Sequence, residues 1–114
     1  MQDSEPIRLL AEQLKIMGDP VRMRIVRLLT SRELSVGDIT TVLDLPQPTV
    51  SRKLAELRRA GILEDRRKGK KIFYKWTTKF GQSELKGVVM AAKAREFTAD
   101  LKSLEELSIK KKGS

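Results

Sequence analysis

Apolar residues recur along the first half of the chain at helical intervals. Ile7, Leu10, Leu14 and Met17 are spaced 3, 4 and 3, which places them on one stripe of a helix over 7–17. Gly18 closes it. Asp19-Pro20 opens a second helix, with Asp19 as N-cap and Pro20 at the first helical position, where its missing N–H costs nothing. Val21, Ile25 and Leu28 share one face of that helix, with Val26 and Leu29 alongside, and it ends near Thr30-Ser31. Ser35 caps a short third helix, with Asp38 in the first turn where a carboxylate is favoured. Its apolar side is Ile39, Val42 and Leu43, and Asp44 and Pro46 stop it. Pro48 opens a fourth helix over about 48–60, capped by Gln47, with Gly61 as the left-handed residue beyond its end.

After Gly61 the period changes from helical to alternating. Ile62-Leu63 leads into a first strand, Lys68-Gly69-Lys70 turns, and Lys71 to Trp76 forms a second strand. Ile72, Tyr74 and Trp76 share its inner face, and Phe73 and Lys75 point the other way. A β-hairpin with a basic tip is expected over about 63–76. An aromatic platform for single-stranded nucleic acid is the alternative use of Phe73, Tyr74 and Trp76, and alternation favours core packing. From Gln82 a helical pattern returns: Met90, Ala94, Phe97, Leu101, Leu104 and Ser108 are spaced 4, 3, 4, 3 and 4. That heptad-like seam predicts one long helix over 82–108, packed against a second copy of the chain. Lys110 to Ser114 reads as a frayed tail.

The resulting fold class is mainly α with a small β-hairpin, in the order α-α-α-α-β-β-α, as one domain spanning 1–114 with a core over 7–78. Composition narrows its chemistry. The 114 residues include no Cys and no His. Disulfides, thiol and imidazole catalysis, and zinc-finger-type metal sites are excluded. No metal or cofactor is expected, and no nucleophile–base pair points to an enzyme. No apolar run is long enough to span a bilayer, and Met1 to Pro6 lacks the apolar region of a leader peptide. A cytoplasmic binding protein is the expectation.

Charge says what it binds. Lys and Arg number 24 against 15 Asp and Glu, a net +9. Between Arg52 and Lys75 there are ten basic and three acidic residues, so +7 of that excess lies in 24 positions. A surface built for solubility spreads its charge, whereas one built for phosphates concentrates it. Helices three and four, joined by Asp44-Leu45-Pro46, read as a helix-turn-helix, and the hairpin after them as a wing. At 100° per residue, Val50, Leu54 and Leu57 fall together on the buried side of helix four. Pro48, Arg52, Ala55, Glu56 and Arg59 fall opposite. Such a helix enters a major groove led by its N-terminal turns. Gln47, Thr49 and Arg52 are assigned to base edges, and Pro48 and Arg59 on the same outward side are also assigned to the DNA-binding surface. Ser51, Lys53 and the helix N-terminus are assigned to phosphates, and Arg66, Lys68, Lys70 and Lys71 on the wing straddle the backbone. Lys15, Arg22 and Arg24 are read as surface by default, with phosphate contact as the alternative.

Leu14-Lys15-Ile16-Met17-Gly18-Asp19-Pro20-Val21-Arg22-Met23-Arg24-Ile25 resembles the "L-K-A-L-G-D-P-T-R-L-R-I" opening of the ArsR/SmtB (arsenic-repressor) family of bacterial winged-helix repressors. Leu45-Pro46-Gln47-Pro48-Thr49-Val50-Ser51 is similar to that family's "L-S-Q-P-T-V-S" recognition-helix start, and Leu57 to Leu63 to its "L-R-E-A-G-L-V" exit. Gly69 and Tyr74 fall where its wing carries Gly and Tyr. The resemblance covers roughly Leu10 to Trp76. It implies a homodimer held by the first and last helices, here through Leu10, Leu14, Met90, Phe97, Leu101 and Leu104. It also implies repression at a near-palindromic operator in double-stranded DNA, relieved by an inducer that the residues do not identify.

One departure bears on that inducer. Where many members carry "E-L-C-V-C-E-L", with two thiols for arsenite or a soft metal, this chain has Glu33-Leu34-Ser35-Val36-Gly37-Asp38-Ile39. Other members bind zinc on the last helix through His and carboxylates. Here that helix offers Glu84, Glu96, Asp100, Glu105 and Glu106 without His, a donor set poorly suited to zinc. Two other readings of the scaffold stay open at this point: a non-specific architectural DNA-binding protein, and an antitoxin-like module that binds a protein partner.

Overall fold

The computed structural model describes residues 5–30 and 32–112. Met1–Ser4, Ser31 and Gly113-Ser114 lie outside the described residues, and with them the leader reading at Met1–Ser4, the end of helix two at Ser31 and the last two residues of the tail. Helix α1 (Glu5–Met17) leads to α2 (Pro20–Leu28), a two-residue strand β1 (Leu34–Ser35), α3 (Val36–Leu43) and α4 (Gln47–Arg59). Strands β2 (Leu63–Lys68) and β3 (Lys71–Trp76) follow, then α5 (Thr78–Gly81), α6 (Glu84–Ala91) and α7 (Arg95–Lys112).

Local chemistry sets most of these boundaries. The Asp19 carboxylate accepts from the Arg22 amide at 2.9 Å, with Pro20 in the first turn of α2. The Ser35 hydroxyl accepts from the Asp38 amide at 3.1 Å, which caps α3. Asp44 ends α3 at φ +54°, a left-handed conformation that Asp tolerates better than most residues. Gly61 (φ +76°) ends α4 and Gly69 (φ +63°) turns the hairpin. Helix α4 begins one residue earlier than the sequence suggests. Pro46, not Gln47, is its cap, because the Pro46 carbonyl accepts from the amides of Thr49 and Val50 at 3.0 and 3.1 Å. It ends at Arg59, with Ala60 as the C-cap.

Val50, Leu54 and Leu57 of α4 are fully buried against Ile25 and Val26 of α2, Ile39 of α3 and Ile62-Leu63 at the root of β2, which make one core cluster. Each such side chain contributes about 1.5–3 kcal/mol relative to exposure. Tyr74 is buried, and Ile72 and Trp76 are partly buried against the same core, so the inner face of β3 is packing, not a stacking platform. The Trp76 indole N–H donates to the Val26 carbonyl at 2.8 Å, and its ring meets Phe80 edge-on at 5.1 Å.

Three expectations need correction. The hairpin is part of a three-stranded antiparallel sheet in the order β1-β3-β2, with Leu34 opposite Tyr74. The predicted helix over 82–108 is broken at 92–94: Ala92 leaves α6 with ψ 130° and the chain restarts as α7. The break lets α6 bury Leu85 and Val89 while α7 turns Phe97, Asp100 and Leu104 inward. The seam is therefore divided: Phe97 and Leu104 are buried within the protomer and Leu101 is partly so, while Met90 stays exposed. Finally, Lys110–Lys112 belong to α7 instead of a frayed tail.

Candidate nucleic-acid interface

The N-terminal turns of α4, the first turn of α3 and the tip of the wing converge on one open groove. It is lined by Gln47 and Ser51 from α4, the cap Ser35 and Val36 to Asp38 of α3, and Lys70 and Lys71 from the wing. Gln47 and Pro48 are exposed, Thr49 and Ser51 half-buried, and the Gln47 amide donates to the Ser51 hydroxyl at 3.3 Å. Arg52 is exposed one turn further along, and Lys68, Lys70 and Lys71 are exposed on the wing. Among the described residues, none of these four cations makes an ion pair. Their charge is available to a polyanion.

Three other assigned cations are placed differently. Lys53 lies 3.4 Å from Asp19 and 3.9 Å from Glu56, so it docks α4 on α2 instead of reaching outward. Arg66 forms a bidentate pair with Glu33 at 2.6 and 2.7 Å and stacks over Phe73, 5.4 Å from the ring centroid. The side-chain hydrogen bond from Arg66 holds the Glu33 carboxyl below its ordinary range and raises Arg66 in turn. Arg66 therefore ties the wing to the approach of β1. Arg59 is exposed at the far end of α4, beside Glu12, Lys15 and Arg22, away from the groove.

Two residues read as ordinary surface prove structural. Arg22 donates to Glu56 at 2.9 Å and to the Ile16 carbonyl at 2.6 Å. With Asp19, Lys53 and Glu56 it forms a four-residue ionic joint between α2 and α4. Burial opposes ionisation of Asp19, but the Arg22 amide and the Lys53 ammonium outweigh it and hold that carboxyl below its ordinary value. Arg24 makes two 2.9 Å hydrogen bonds to Asp100 of α7. The only sequence signal for either role was the spacing that puts both arginines near the buried face of α2.

The residues 17–66 match a model described as a helix-turn-helix domain. The chain is 44% identical over 81 residues to the arsenic resistance transcriptional regulator ArsR1 of Pseudomonas putida, covering 68% of this chain and 63% of that protein. It is 36% identical to the transcriptional repressor BigR of Xylella fastidiosa, with a TM-score of 0.62, covering 76% of this chain and 82% of the other. The chain belongs to the ArsR/SmtB family of winged helix-turn-helix transcription regulators. HlyU from Vibrio cholerae is also similar, at 30% identity and a TM-score of 0.68, with 77% of this chain and 91% of that one covered. The chain spans between about half and two thirds of the length of the curated relatives it matches first. The family is one of DNA-binding regulators and not of enzymes.

The soft-metal site that many family members carry at the start of α3 does not fit these residues. The Ser35 hydroxyl is occupied as the helix cap and Gly37 has no donor atom. Among the described residues no three Asp or Glu side chains gather closely enough to hold a metal ion. No described helix is long and apolar enough to cross a membrane.

Proposed function

We propose that the protein is a homodimeric repressor that binds a specific operator in double-stranded DNA. The observation that carries this reading is the groove itself. It joins the exposed start of α4 to a wing tip whose Lys68, Lys70 and Lys71 make no ion pair among the described residues. Gln47, Thr49 and Arg52 read base edges, while Ser51 and the wing's Lys68, Lys70 and Lys71 hold phosphates. The Lys53 and Arg66 assignments are withdrawn, because those cations are engaged inside the protomer, and Arg59 lies outside the groove.

The dimer is supported by an apolar surface that one protomer leaves open. Leu14 of α1 (52% exposed), Met23 of α2 and Val88 and Met90 of α6 are exposed. Leu14, Met23 and Val88 border an apolar depression that also contains Met17, Leu85 and Val89. Leu10, Leu14, Met90 and Leu101 remain candidates for that contact. Phe97, largely buried in its own protomer, also lines that depression and stays with them, whereas Leu104 is covered by its own chain and lies outside it.

The test is selection of bound duplexes followed by titration against the selected and a scrambled sequence. Arg52→Ala loses about 1–3 kcal/mol on the selected duplex and relaxes preference at one base pair. Lys70→Ala weakens both duplexes alike and lowers the salt slope by about 1. Equal affinity for genomic fragments of every sequence would instead favour the architectural reading.

A further inference from the structure

The end of the final helix comes up beside that groove, where Lys111 and Lys112 border a second depression that shares Asp38 with it. Helix α7 runs antiparallel to α3. Near its start Asp100 holds Arg24, whose second nitrogen also donates to the Leu43 carbonyl at the end of α3, at 3.3 Å. Two turns on, the Ser108 hydroxyl accepts from Arg32 at 2.5 Å. At its end the Lys111 ammonium meets the Asp38 carboxylate in the first turn of α3, also at 2.5 Å. Asp38 is the one acidic residue among those lining the groove with Gln47, Ser51, Lys70 and Lys71. Lys110 and Lys112 flank Lys111 and are exposed.

We propose that Lys110, Lys111 and Lys112 form a third DNA-backbone contact beside the recognition helix and the wing. Lys111 cancels the groove's own carboxylate, while Lys110 and Lys112 reach phosphates flanking the base-read segment. The inference rests on the DNA-binding reading above and extends it. A carboxylate left bare among phosphate-binding groups repels the ligand, since like charges in one site oppose each other at close range. An ammonium on it removes that repulsion at the point where the chain delivers two more cations. The arrangement does not depend on base identity, so its effect is on affinity and salt dependence, and specificity is unchanged.

The experiment compares the full chain with Lys110→Ala/Lys112→Ala, Lys111→Ala, Asp38→Asn and Lys111→Ala/Asp38→Asn. Each is titrated against the selected and the scrambled duplex between 50 and 200 mM salt. Losing two phosphate contacts lowers the slope of log K against log salt by about 1.8. The gap between the parent and Lys110→Ala/Lys112→Ala therefore narrows by roughly tenfold over that range, equally on both duplexes. Lys111→Ala weakens binding, and Asp38→Asn restores more affinity in that background than it adds to the parent. Melting temperature and solution mass are measured for every variant. An unchanged slope for Lys110→Ala/Lys112→Ala overturns the proposal, as does a loss explained by altered mass or by unfolding. Lys70→Ala separates the two levels. If it weakens binding while the α7 variants do not, only this inference falls. If the parent binds neither duplex, the DNA-binding reading falls with it.

Discussion

Replacing Asp100 with Ala removes one half of the ion pair that joins α7 to α2. The Asp100 side chain is 6% exposed and that of Arg24 23%, with both hydrogen bonds at 2.9 Å. The hydrogen bond to Asp100 raises the Arg24 guanidinium above its already high ordinary value, against the effect of burial. Removing one partner of a fully buried pair costs about 3–5 kcal/mol, because the other charge stays desolvated. Arg24 is nearly a quarter exposed and can rehydrate in part, so about 2–3 kcal/mol is expected. For a chain of this size that corresponds to a fall in Tm of roughly 8–15 °C. The assay is thermal unfolding followed by circular dichroism at fixed protomer concentration, since a dimer's Tm depends on concentration. Arg24→Ala behaves similarly, and Arg24→Ala/Asp100→Ala costs less than the two single changes together by at least about 1 kcal/mol. A loss below about 1 kcal/mol for Asp100→Ala, or simple additivity, would show the pair to be worth no more than an exposed one. The docking of α7 would then rest mainly on the packing of Leu101, Leu104 and Leu107 against the core.

Two further outcomes are expected beyond the DNA titrations described above. The folded-state pKa of Asp19 is depressed below its ordinary value of 3.8, so its contribution to stability is full above that value and is lost as pH falls through the folded one. Asp19→Asn keeps a capping side chain but should show a shallower decline in Tm below about pH 4 than the parent; parallel acid profiles would refute the role of the α2–α4 ionic joint. Leu14→Glu places a charge on the open apolar face, so sedimentation should show a shift toward monomer, together with weaker operator binding. An unchanged dimer mass would place the interface elsewhere.

The extent of α4 was readable to within a residue because the signals that bound it are local. Its buried stripe follows from 3.6-residue spacing, its start from prolines and its end from Gly61. What the sequence hid depends on partners distant along the chain. The two-residue strand β1 is too short to show alternation, and it exists because Leu34 pairs with Tyr74, forty positions on. Ala92-Lys93-Ala94 are sound helix formers, so nothing local announces the break before α7; packing of Phe97, Asp100 and Leu104 on α2 and α3 accompanies it. Charge counting located the basic surface but could not tell free cations from engaged ones. Lys53 and Arg66 resemble Arg52 and Lys70 in sequence, and only Asp19 and Glu33, each more than thirty residues away, distinguish them.

The placement of Trp76 gives the molecule a built-in optical probe. It is the chain's single tryptophan, pinned where the hairpin enters the protein body, with its indole hydrogen-bonded to α2 and its ring against Phe80. Tryptophan emission from the unlabelled protein therefore arises from the base of the wing and not from its tip. A spectral change on adding a duplex reports an altered indole environment at that base, where the Val26 carbonyl and the Phe80 ring surround it.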